Sequence, residues 1–85
     1  MQEKEKEERL LKEFGNILRK QREQQNLYQS EVANMVGITQ TYYSLIELGK
    51  RNIGLTLAIR LSQSLKLDIS EIVEYLVENE NSTPV

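Results

Sequence analysis

Apolar residues return every three or four positions through most of the chain, and no apolar/polar alternation lasts long enough to make a strand. The pattern predicts an all-α fold of five helices. Leu10, Phe14, Ile17 and Leu18 mark one face of a first helix from about residue 4 to 24. Its Glu/Lys-rich opening, within MQEKEKEERLLKEF, is expected to be exposed and frayed. The stretch NLYQ then breaks the helix. A second helix, roughly 29 to 36, has Val32, Ala33 and Val36 to bury, and Gly37 follows where a left-handed residue would end it. Thr39 is a good N-cap for a third helix from Gln40 to Leu48, stopped by Gly49. Helix, tight turn and helix thus fall within about twenty residues. A fourth helix, about Leu55 to Leu65, offers Leu57 or Ala58, Leu61 and Leu65 to a core. Asp68 and Glu71 form a capping box for a fifth, whose Ile69, Ile72, Val73, Leu76 and Val77 recur at helical spacing. The division that follows is a charged extension of the first helix over 1–13, a folded domain over 14–78, and a disordered polar tail over 79–85.

The third helix has more apolar surface than one stripe requires. At roughly 100° per residue, Tyr43, Ile46 and Glu47 share a sector that faces the domain. Thr41, Ser44, Leu45 and Leu48 fall on the opposite side, so half of the outward face is apolar. A short helix held by a glycine turn and projecting Gln40, Thr41, Ser44 and Leu45 has the geometry of a reader of the DNA major groove.

Composition narrows the chemistry. Eighty-five residues make one domain at most, small enough that a dimer is plausible. Cysteine and histidine are absent, and with no glycine-rich phosphate loop the chain offers no sign of an enzyme, a metal site, a cofactor or a small-molecule ligand. No run of about 18 apolar residues occurs and the amino terminus lacks a signal-peptide core, so no membrane association is expected and the protein is expected in the cytoplasm. The net charge of −2 hides an uneven distribution. Residues 14–66 carry seven basic groups against three acidic ones, whereas residues 67–85 carry five acidic groups and no basic one. A basic middle between acidic ends can present a positive face to a polyanion.

The run NLYQSEVANMVGITQTYYSLIELGKRNIGL followed by LAIRLSQSLKLDISEI resembles the phage-repressor and Cro type of helix-turn-helix domain. The likeness covers about residues 14 to 73 and rests on Arg22, Gln29, Ala33, Gly37, Ile46, Glu47, Gly49 and Leu65 in register. TYYSLIELGKRN, with Thr41, Tyr42, Ser44, Arg51 and Asn52 in place, is similar in particular to the controller proteins of restriction-modification systems. Tyr28 departs from the family, standing where Ser, Thr or Asn usually caps the second helix; Ile53 and Gly54 replace a frequent Pro-Ser, and Gln40 a frequent arginine. The resemblance implies a lambda-repressor-like five-helix domain, here with an extended first helix.

It also implies roles. Gln40, Thr41, Ser44, Leu45 and Arg51 are expected to contact bases: Gln40 pairs with adenine, Thr41 bonds a base or touches a thymine methyl, and Leu45 touches only a methyl. Gln29, Tyr42, Lys50 and Asn52 are expected on phosphates. Arg22 and Glu47 form an ion pair between the first and third helices, as the matching residues do in the family, because an inward carboxylate needs a cation. The stripe Ile69, Ile72, Val73, Leu76 and Val77 is expected to be a twofold dimer interface. The function implied is a homodimeric, sequence-specific transcription regulator on double-stranded DNA, with RNA polymerase or another protein as a further partner. The alternative is a protein-interaction module of the same fold, used as an antitoxin or coactivator.

Overall fold

The computed structural model describes residues 3–81, with side chains through Asn79. Each of its first four helices is closed by a residue in the left-handed region. Helix α1 (Glu3–Gln24) is followed by Asn26 at φ 57°, α2 (Gln29–Val36) by Gly37 at φ 75°, α3 (Gln40–Glu47) by Gly49 at φ 74°, and α4 (Leu55–Ser64) by Lys66 at φ 60°. In each case the next amide donates to the carbonyl five residues back: Leu27 to Arg22 at 3.1 Å, Ile38 to Ala33 at 3.0 Å, Lys50 to Leu45 at 2.9 Å and Leu67 to Ser62 at 2.7 Å. These closures satisfy carbonyls that a helix end would otherwise leave bare, and turn the chain sharply. Among the described residues these helices and α5 (Ile69–Asn81) are the whole secondary structure, and none is long and apolar enough to cross a membrane.

The core draws on every helix: Phe14 and Leu18, then Val32, Ala33 and Val36, then Tyr43 and Ile46, then Leu61 and Leu65, and finally Ile72. Helix α3 sits between α1 and α2, α2 also packs on α4, and α5 lies across α1 and α4. Helix α1 approaches α3 closely because Gly15 stands at the contact. A methyl group there would overlap the carbonyl oxygens of Ile46 and Glu47. Gly49 is constrained twice, by its positive φ and by the Lys12 backbone, whose Cα would lie 2.7 Å from an added Cβ. No turn or helix end marks Gly15 in the sequence, since it lies inside the apolar period of α1.

Two expectations are revised by α5. The stripe predicted as a dimer interface divides: Ile72 is 5% exposed and belongs to the core, with Ile69 and Leu76 packed against it, whereas Val73 and Val77 are about half exposed. The last helix closes the core over α1 and α4, so the residues within about 60° of Ile72 face inward and the pair beyond them does not. Second, the helix continues to Asn81, so residues 79–81 are helical rather than tail. No glycine or proline interrupts the chain between Gly54 and Pro84, and the Asn79 side chain donates from Nδ2 to the Tyr75 carbonyl at 2.9 Å. The remaining residues of the predicted tail, 82–85, lie outside the described residues. At the opening of α5, Asp68 Oδ1 accepts the Ser70 hydroxyl at 2.6 Å and the Ser70 amide at 2.9 Å, which holds its carboxyl below the usual carboxylate range. The first helix is formed from Glu3, with Glu3 and Glu5 in the first turn where the helix dipole favours them.

Candidate nucleic-acid interface

Helix α3 is only eight residues long, and one network sets its orientation. Arg22 of α1 donates from Nε to Glu47 Oε2 at 2.7 Å and from Nη2 to Glu47 Oε1 at 3.1 Å, a two-pronged pair. Its remaining nitrogen, Nη1, donates to the Leu27 carbonyl at 2.9 Å. Gln29 of α2 adds a third donor to the carboxylate, Nε2 to Oε1 at 3.0 Å. Three helices therefore meet at one carboxylate.

Burial would raise the Glu47 carboxyl, but the groups of Arg22, Tyr43 and Gln29 turned toward it more than offset this and leave it below the usual range. Burial, with the Glu47 charge alongside, pushes the Tyr43 hydroxyl well up. That hydroxyl is the buried side-chain polar atom among the described residues that makes no hydrogen bond of ordinary geometry. Glu47 stays ionised and Tyr43 stays neutral across the physiological range, so the inner face of α3 is electrostatically fixed.

The outer face differs. Thr39 accepts the Tyr42 amide at 3.1 Å and starts the helix; Tyr43, Ile46 and Glu47 turn inward, all at 7% exposure or less. This leaves Gln40 and Thr41 exposed and Ser44 and Leu45 half-buried, and with Gln29 these four line one shallow depression. Such a surface, polar at the rim with one aliphatic side chain, matches the mixed edge that base pairs display in the major groove. Lys50, Arg51 and Asn52 lie exposed on the loop that leaves α3.

Most of the predicted contact residues are thus brought together, with three qualifications. Tyr42 is half-buried with its side chain packed against the core. Gln29 spends an amide hydrogen on Glu47 rather than on solvent, a role legible in its spacing, since Gln29, Val32, Ala33 and Val36 form one stripe. Asn52 donates from Nδ2 to Glu7 Oε1 at 2.8 Å, a contact between residues 45 apart that no local pattern announces. Tyr28 starts α2 without a side-chain cap, as its substitution implied, and its amide is instead satisfied by Glu31 Oε1 at 2.8 Å.

Two helices joined through a left-handed glycine, the second buried on one side and turned outward on the other, define a helix-turn-helix domain. Residues 18–72 match the helix-turn-helix family, and the chain belongs to it. Among its relatives is the control protein C.MunI of a Mycoplasma species, 42% identical over 60 residues that span 69% of this chain and 81% of that protein. The crystal structure of the restriction-modification controller protein C.AhdI from Aeromonas hydrophila is similar at a TM-score of 0.68 and 31% identity, over 73% of this chain and 94% of that one. The controller protein C.Esp1396I, solved as a tetramer in complex with its natural 35 base-pair operator, shares the fold at a TM-score of 0.69 and 23% identity, over 81% of this chain and 91% of that one.

Proposed function

We propose that this chain is a sequence-specific regulator of transcription that binds a pseudo-palindromic DNA operator as a homodimer in the cytoplasm, in the manner of a restriction-modification controller. The observation that carries the reading is the outward face of α3, where Gln40, Thr41, Ser44 and Leu45 stand together on a helix fixed from behind by the Arg22–Glu47 pair. Its kinship with control proteins supports the same reading. Laid in the major groove, this face reads bases through Gln40, Thr41, Ser44 and Leu45, with Arg51 reaching a further base from the loop. Lys50, Asn52, Tyr42 and the start of α2 at Gln29 hold the flanking phosphates.

A dimer places two such helices about 34 Å apart, in successive major grooves of one duplex face. Val73 and Val77, exposed and one turn apart on α5, are the apolar pair available for the twofold contact. Regulation then comes from occupancy of the operator and from contact with RNA polymerase or another protein. The test is selection of a random duplex pool on the purified protein. Enrichment of an inverted repeat with half-sites about one helical turn apart is the expected result; a pool that stays unenriched at physiological salt would overturn the reading.

A further inference from the structure

The extended opening of α1 stands apart from the outward face of α3, yet it lies alongside the loop that follows α3. The Lys12 backbone is pressed against Gly49, and the notch between the two elements is lined by Glu8, Leu11 and Lys12 on one side and Gly49, Lys50 and Asn52 on the other. One turn nearer the amino terminus, Glu7 Oε1 accepts the Asn52 side-chain amide at 2.8 Å. Because α1 runs unbroken from Glu3 to Gln24, this carboxylate is carried on a rigid helix braced at Lys12.

That position sets Glu7 against DNA. A phosphate oxygen approaching the second hydrogen of the same amide nitrogen would come to rest about 5 Å from the carboxylate oxygen, like charges held apart by one nitrogen. Glu8 and Lys12, of opposite sign, line the notch together, and Glu7 is the acidic group whose atom engages the loop. We propose that Glu7 competes with phosphate at Asn52: its charged carboxylate, held on one hydrogen of the amide, opposes the phosphate that would take the other, and so lowers the affinity of the protein for every duplex. The penalty falls on backbone contact and not on base readout, so it depresses operator and non-operator binding alike. The effect would be to raise the concentration at which the protein acts without changing which sequence it chooses. This inference rests on the DNA-binding reading above.

The experiment is a titration of the selected operator and a scrambled duplex with four proteins: the unmodified chain, Glu7→Gln, Asn52→Ala and the double variant, at two salt concentrations. Glu7→Gln keeps the size of the side chain and one acceptor oxygen for Asn52 while removing the charge, and an unchanged thermal melt certifies the fold. It should bind both duplexes about three to ten times more tightly, with the larger gain at low salt. In the Asn52→Ala background the gain should fall by half or more. Equal or weaker binding by Glu7→Gln, or the same gain with and without Asn52, would overturn the inference while leaving the DNA reading in place. Failure of the unmodified chain to bind any duplex would overturn both.

Discussion

Glu47 is where fold and function meet, since its carboxylate is 3% exposed at the side chain and joined to Arg22 of α1 and Gln29 of α2. Removing either partner strands the other in low dielectric, so Glu47→Ala or Arg22→Ala should each destabilise the domain by about 3 kcal/mol, measured by urea or thermal unfolding. Replacing both by apolar residues should cost less than either single change. The same carboxyl sets an acid limit. It is held below its unfolded value of 4.5, so its contribution is complete above that pH and is lost as the pH falls toward the lowered folded value. Tyr43 works in the opposite direction: its folded value is raised above 10.0, so its contribution is complete below that pH and is lost as the pH rises further. Stability measured across pH should fall at both ends, and Glu47→Gln should flatten the acid limb while Tyr43→Phe flattens the alkaline one. The inward setting of Glu47 was legible from its angle on α3, because a helical period of 3.6 fixes a side chain's direction. Glu7 on Asn52 was not legible, because that contact depends on where two distant segments come to lie.

The four left-handed helix closures show what an element-level reading captures and what it misses. Gly37 and Gly49 announce themselves, since glycine meets no penalty there, whereas Asn26 and Lys66 adopt the same conformation at a cost. Lys66→Gly should therefore raise stability by about 1 kcal/mol, seen as a higher melting temperature, while Gly49→Ala should lower it through both its φ and the Lys12 backbone. The residue after each closure is also informative. Leu27, Ile38 and Leu67 fill that place after α1, α2 and α4, and all three pack against the core. The fourth is Lys50, exposed and charged, directly after the helix that carries the recognition face. An apolar contact that three closures use is given up at the fourth, where an exposed cation stands instead. Helix types and centres were readable from the apolar period. The end of α5 was not, because Glu and Asn at 78–81 tolerate either helix or tail and only the absence of a breaker decides.

For the whole molecule, the charge pattern and the dimer carry the account. The basic residues of the loop after α3 act locally, so the overall −2 charge does not bar binding to a polyanion. The core consumes Ile72 and largely covers Ile69 and Leu76, which leaves Val73 and Val77 exposed on the stripe as the pair proposed for the twofold contact. Val77→Glu should give a folded monomer by sedimentation, with operator affinity reduced far more than the melting temperature; a variant that stays dimeric would move the interface elsewhere. A five-residue stripe in sequence could not be divided into buried and exposed parts, since both are apolar and only the packing of α5 on α1 and α4 separates them. The central claim is that the outward face of α3 reads sequence while the loop behind it holds the backbone. Its most direct test is the ratio of affinities for the selected operator and a scrambled duplex at one salt concentration, for the unmodified chain, Gln40→Ala and Lys50→Ala. Gln40→Ala should reduce the ratio by about 1–3 kcal/mol, and Lys50→Ala should weaken both duplexes equally and leave the ratio intact. A ratio near one for the unmodified chain, or one that Gln40→Ala leaves untouched, would contradict the account.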